Sequence, residues 1–233
     1  VLQSIGSKLS LSNSLPQGLF SVSWDLDGTF ADTSVDLARA LNQTRAEKGM
    51  GELPILDVAR HVGKGAKWLV QNCLDPGLDP DEIEATVQRF LAYYLVGCSQ
   101  MTKAYPGVIE YSRALRAAGI KQALATNKPR RFTERILSDL GWNSLFDSVH
   151  CGDDGRAKPD PEMLNHCIQS LGSRAEQHLH LGDTPTDAAA ANAAGCLFLG
   201  VRWGMDGGEG LMAEGVEPLF ASLAELAAHM ETL

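Results

Sequence analysis

Residues 20–32 read Phe-Ser-Val-Ser-Trp-Asp-Leu-Asp-Gly-Thr-Phe-Ala-Asp, and the reading of this stretch decides the fold. Phe20 to Trp24 is a short apolar, β-prone run. Asp25 and Asp27 follow, and in a continuing strand they would share one face. Two carboxylates at the end of a buried strand are costly unless something compensates. A divalent cation is the natural compensator, and hard oxygen donors imply Mg²⁺. Gly28 lets the chain turn sharply just past the pair. The plainer reading is an Asx turn closing a strand.

Downstream of this stretch the pattern is helical. A helix is predicted over 35–48, with Gly49-Met50-Gly51 stopping it. Residues 55–73 read as a short helix, a break at Gly63-Lys64-Gly65, and a second helix. Asp79 opens another over 80–97, whose stripe of Ile83, Val87, Phe90, Leu91 and Tyr94 reads as core. The block 33–98 contains no clear strand.

From Tyr105-Pro106-Gly107 onward, strands and helices alternate. Strands are predicted over 120–125, 147–151, 178–182 and 196–201, with a weak one at 217–220. Helices are predicted over 108–118, 130–140, 160–171, 185–194 and 222–231. The Gly-rich stretch 204–210 reads as a flexible loop near the site, without an assigned role. Such alternation argues for an α/β fold: a Rossmann-like, three-layer parallel sheet core, with the helical block inserted after its first strand. The expected division is a core of 18–32 and 100–233, a helical insertion of 33–99, and a disordered or loosely attached tail of 1–17. Ligands bind such sheets at the carboxyl ends of the strands. Asp25, Thr126 and Asp183 each end a predicted strand, so residues far apart in sequence converge.

Asp25-Leu26-Asp27-Gly28-Thr29 resembles the first motif of the haloacid dehalogenase superfamily of aspartate-nucleophile phosphotransferases, with Phe30 where Leu or Val is usual. Thr126 resembles the second motif, Lys158-Pro159 the third, and Gly182-Asp183-Thr184-Pro185-Thr186-Asp187 the fourth. The resemblance implies that Asp25 is a nucleophile and Asp27 a general acid and base. It implies Mg²⁺ held by the Asp25 side chain, the Asp27 backbone carbonyl and Asp183. Asp187 would act through water or orient Lys158. Thr126 and Lys158 would bind the transferring phosphoryl, and Asn127 is a further substrate contact. Lys128 is a rival cation, ranked below Lys158.

In this family an inserted helical block is a cap that closes over the site. Gly63-Lys64-Gly65, with Tyr105-Pro106-Gly107-Val108 and Thr126-Asn127-Lys128-Pro129, resembles bacterial phosphoglycolate phosphatases. That implies Mg²⁺-dependent hydrolysis of 2-phosphoglycolate, with Lys64 set against its carboxylate. The rivals are a sugar-phosphate phosphatase, a pyrophosphatase and a β-phosphoglucomutase-like mutase. A non-catalytic phosphate-binding protein is the alternative of another class.

Composition narrows the partners. The 233 residues are 44% hydrophobic and 21% charged, with a net charge of −9. That balance disfavours nucleic acid and anionic membrane. A small phosphorylated substrate is the expected partner, to a monomer or homodimer. The five cysteines lack metal-ligand spacing, and reduced thiols in a cytoplasmic compartment are the default. His178 and His180 read as packing or surface residues, and Cys151 and Cys196 as core.

Overall fold

The computed structural model describes residues 18–74 and 79–232; the expected tail of 1–17 lies outside them. Ser21–Trp24 forms β1. A two-residue strand, Ala31–Asp32 (β2), leads into four helices: Ser34–Glu47 (α1), Ile55–Ala59 (α2), Ala66–Cys73 (α3) and Pro80–Gly97 (α4). Lys103–Ala104 (β3) returns antiparallel to β2. Then come Val108–Ala117 (α5), Lys121–Thr126 (β4), Arg130–Asp139 (α6) and Ser148–Cys151 (β5). Glu162–Leu171 (α7), His178–Gly182 (β6), Pro185–Ala194 (α8) and Leu197–Val201 (β7) follow. Glu209–Ala213 (α9), Leu219–Phe220 (β8) and Leu223–Met230 (α10) complete the described chain.

The main sheet has the order β5-β4-β1-β6-β7-β8, and every pairing is parallel. The strand order reverses at β1, which lies between β4 and β6. A parallel sheet opens a crevice at such a switch point, and the carboxyl ends of β1, β4 and β6 carry Asp25, Thr126 and Asp183 to it.

Alternation along β1 sorts the two faces. Val22 and Trp24 join the larger core, where Trp24 meets Phe30 and Tyr111 edge-on and its indole N–H donates to Gln122. Phe30 also packs edge-to-face on Trp142 and Phe146, at ring-centroid distances of 5.4 and 5.0 Å. The unusual Phe is thus accommodated by an aromatic cluster. On the opposite face, Ala123 and Ala125 let α7 and α8 pack closely through Met163, Leu164, Cys167, Ala190 and Ala191.

The ribbon of β2 and β3 marks where the chain leaves the sheet and comes back. Strands of two residues carry no alternation, so this ribbon is absent from the sequence reading. Buried Asp36, in the first turn of α1, secures the return: its carboxylate accepts from the backbone N–H groups of Met101 and Thr102, each at 2.9 Å. Asp79 caps α4 by accepting from the Glu82 N–H, with Pro80 at the first helical position.

Part of the Gly-rich stretch is helical, as α9. All five cysteines are free; Cys151 is buried, while Cys196, just ahead of β7, is only half-buried. Among the described residues no helix is long and apolar enough to cross a membrane.

Candidate active site

The strand ends at Trp24, so Asp25 and Asp27 are set by a turn rather than by strand alternation. Gly28 occupies φ +91°, and its amide donates to the Ala31 carbonyl. A Cβ there would lie 2.0 Å from an Asp183 oxygen. Glycine is therefore required both for the turn and for the close approach of the two loops.

The two aspartates line one cavity but hold different cations. Lys158 donates to Asp25 Oδ1 at 2.8 Å, to Asp187 Oδ1 at 2.6 Å and to the Ala125 carbonyl at 2.6 Å. Lys128 pairs with Asp27 Oδ2 at 3.0 Å and donates to the Tyr94 hydroxyl at 2.9 Å. Thr33 Oγ1 donates to Asp27 Oδ1. Both lysines are buried, and their ion pairs keep them charged in spite of desolvation. The sequence ranked Lys128 below Lys158; the fold brings both into the site.

Asp25, Asp183 and Asp187 each offer an oxygen within 4.8 Å of the others. Burial, against the opposing pull of Lys158, pushes the Asp25 carboxyl up to about 7, with Asp187 and Asp27 adding repulsion. Asp183 is likewise pushed well above the usual carboxylate range by burial and by Asp25 and Asp187. Its protein donors are both neutral: Thr29 Oγ1 at 3.0 Å and the Met205 N–H at 3.1 Å. Burial opposes ionisation of Asp187 too, but Lys158 and His180 outweigh it and hold this carboxyl low.

Ionising all three carboxylates against Lys158 would leave a deficit equal to the charge of one divalent cation. The donors are hard oxygens, which suits Mg²⁺. Lys158, His180 and Thr184 occupy both Asp187 oxygens. Asp25 and Asp183 are therefore the carboxylates best placed to face an ion, with Asp187 behind them. The Asp27 side chain points instead to Lys128 and Thr33, leaving its backbone carbonyl as the group by which it could serve a metal.

Thr126 Oγ1 lies in the cavity wall and accepts from the Lys128 N–H at 3.2 Å. Asn127 was expected against substrate, but its amide is occupied by backbone. It donates to the carbonyls of Gly63 and Lys158, both at 2.9 Å, and accepts from the Lys158 N–H at 2.8 Å. Asn127 thus fixes the Lys158 loop and fastens the helical insertion to it. Gly63 and Gly65 line the cavity. Lys64 does not: its exposed ammonium lies over the Trp68 ring, 4.8 Å from the centroid.

The family model for haloacid dehalogenase-like hydrolases matches residues 22–201. The chain belongs to that family. Among this hydrolase's relatives is the phosphoglycolate phosphatase of Nitrosospira multiformis, 35% identical over 215 residues, covering 90% of this chain and 95% of the relative. The phosphoglycolate phosphatase of Rhodospirillum rubrum is 37% identical over 192 residues, 79% of this chain and 80% of the relative. A crystal structure described as a predicted phosphoglycolate phosphatase from Haemophilus somnus superposes with a TM-score of 0.83 at 27% identity. That match covers 91% of this chain and 98% of the other.

Two parts of this hydrolase's site had no role in the sequence reading. The first is the loop after β7, read from sequence only as a loop near the site. Met205 binds Asp183, the Trp203 indole donates to the Thr29 carbonyl, and a Cβ on Gly204 would meet an Asp183 oxygen at 2.3 Å. The glycine cluster following a buried strand was the available signal. The second is a buried polar ladder between register partners of β1 and β6, on the α7/α8 side. Ser21 and Ser23 face His178 and His180 across the two strands, which is why small polar residues stand among apolar ones.

The ladder's direction follows from its end. The Asp187 carboxylate only accepts, so the His180 Nε2–H donates to it at 3.1 Å. Burial holds His180 and His178 below the ordinary imidazole value, His178 at about 3, so both are neutral. Ser23 therefore donates to His180 Nδ1 at 2.8 Å, His178 Nε2–H to Ser23 at 2.8 Å, and Ser21 to His178 Nδ1 at 2.7 Å. Every donor is aimed along the chain toward Asp187. Ser23→Ala strands the partners on both sides and should lower unfolding free energy by roughly 1–3 kcal/mol. Urea denaturation measures this, and unchanged stability would mean that water replaces the hydroxyl.

Proposed function

We propose that the protein is an Mg²⁺-dependent phosphatase that hydrolyses 2-phosphoglycolate through an aspartyl-phosphate on Asp25. The observation that carries the reading is the buried cluster of Asp25, Asp183 and Asp187 around a fully engaged Lys158, at the mouth of the sheet. The relatives named phosphoglycolate phosphatase, at 35–37% identity over most of the chain, support the choice of substrate.

In this reading the Asp25 carboxylate attacks phosphorus and the ester P–O bond breaks. Asp27 protonates the departing glycolate oxygen. Water then attacks the aspartyl-phosphate, giving up a proton to Asp27, and Asp25 is regenerated with release of phosphate. Lys158 and the Thr126 hydroxyl stabilise the charge on the transferring oxygens. Bound Mg²⁺ would supply the missing positive charge between Asp25 and Asp183, keeping Asp25 ionised and neutralising the phosphoryl. The apolar walls contributed by the helical insertion exclude water from the bound ester.

A kcat/KM panel in Mg²⁺ tests the reading, using 2-phosphoglycolate, several sugar phosphates, pyrophosphate and β-glucose 1-phosphate. The expected result is a preference for 2-phosphoglycolate of at least about tenfold. Preference for a sugar phosphate or pyrophosphate overturns the substrate; no turnover of any of them overturns the activity.

A further inference from the structure

We propose that Lys128, held in place by Tyr94 of the helical insertion, is the cation that recognises a carboxylate at the far end of a short phosphate monoester. This rests on the reading of the protein as a 2-phosphoglycolate phosphatase. It assigns the specificity role to a residue other than Lys64.

The cavity has two cations, and they are not equivalent. An ammonium has three N–H bonds. Those of Lys158 meet three acceptors, Asp25, Asp187 and the Ala125 carbonyl, and face the nucleophile. Lys128 meets two, Asp27 and the Tyr94 hydroxyl, while its ammonium lies 4.6 Å from the Tyr94 ring centroid. Among the described residues no third acceptor is set against it, so one N–H of this buried lysine is left for the cavity it lines. The Asn127 amide is occupied by backbone, so it does not compete for this role.

The rest of the chamber narrows the ligand. From the insertion, Val62, Ala66, Leu69, Phe90 and Leu91 present apolar walls, and Tyr94 brings the polar side chain. That hydroxyl already accepts from Lys128. A sugar would leave several hydroxyl groups against hydrocarbon, each unsatisfied group being costly. A single anionic group one carbon from the ester oxygen needs one cation and nothing else polar. Tyr94 sits on α4 and Lys128 between β4 and α6, so the pair exists only where the insertion meets the loop after β4 and α6. Recognition of the second anion is thereby tied to that contact.

The test compares 2-phosphoglycolate with ethyl phosphate, which has the same length and a methyl group in place of the carboxylate. In the wild type, kcat/KM should strongly favour 2-phosphoglycolate. Lys128→Met should reduce that preference about 100-fold, because a buried charge pair is lost for one substrate and not the other. Tyr94→Phe, which keeps the ring, should raise KM for 2-phosphoglycolate several-fold while leaving KM for ethyl phosphate in place. Lys64→Ala should leave the preference unchanged. Equal losses for both substrates in Lys128→Met, or in Tyr94→Phe if the methionine variant does not fold, overturn the role of Lys128 and leave the phosphatase standing. A wild type without preference between the two esters overturns the substrate reading itself.

Discussion

In the proposed mechanism Asp25→Asn should remove turnover of every phosphate ester, by about three orders of magnitude or more, because an amide would not form the acyl-phosphate that divides that reaction into two steps. The variant should remain folded. Burial, against Lys158, raises the Asp25 carboxyl from 3.8 to about 7. The folded chain therefore binds that proton more tightly than the unfolded chain. The stability this contributes is present at low pH and is lost as pH rises from about 4 through 7. An amide has no such ionisation, so above neutrality the metal-free variant should melt no lower than the metal-free wild type. Added Mg²⁺ should raise the wild-type Tm by mass action and raise that of the variant much less. Thermal melts with and without Mg²⁺, beside a steady-state assay, check both expectations. Retention of about a tenth of wild-type activity would place the nucleophile elsewhere. An equal Mg²⁺ response in the two proteins would remove Asp25 from the metal site.

Lys158→Met combines a catalytic loss with a structural one. Lys158 is 4% exposed and its ammonium's partners include two buried carboxylates. Removing one member of a buried ionic network leaves the others uncompensated, at a cost of about 3–5 kcal/mol. For a chain of this length that corresponds to a fall in Tm of roughly 6–20 °C. In the proposed mechanism the transferring phosphoryl would also lose its fixed counter-charge, so kcat should fall about 10²–10³-fold. Arginine should not rescue, because the niche among Ala125, Asp25 and Asp187 is built around a compact ammonium. Saturating Mg²⁺ should recover part of the lost Tm by neutralising the same carboxylates. A variant that melts with the wild type would show that these carboxylates take up protons in the lysine's absence. A variant with unaltered kcat would show that the lysine is a structural counter-ion alone.

Much of this architecture was legible in the linear sequence. The alternation of apolar strands with capped helices over 105–231 specified the parallel sheet. The placement of Asp25, Thr126 and Asp183 at strand ends then required them to meet, because a parallel sheet puts all those ends on one edge. Helix boundaries marked by Asp79 and by Gly49-Met50-Gly51 were readable for the same reason: each residue has a preference that acts locally. The four short motifs were legible as a resemblance.

Partnerships that depend on distance in space were not legible. Lys128 and Lys64 both stand beside turn residues in sequence. Only the packing of α4 against α6, where Tyr94 meets Phe132, puts Tyr94 over the first, while the second lies over Trp68 outside the cavity. Asn127 is a strand-end polar residue by sequence and a clamp between two loops in the fold. Ser23 and His180 are unremarkable in their own strands. They become a directed ladder because β1 and β6 are neighbours in register, although 157 positions separate the two residues. Local sequence determines the elements and the edge on which the chemistry gathers. Which cation faces which carboxylate is decided by tertiary structure, because a buried charge is stabilised by whatever opposite charge packing brings within a few ångströms.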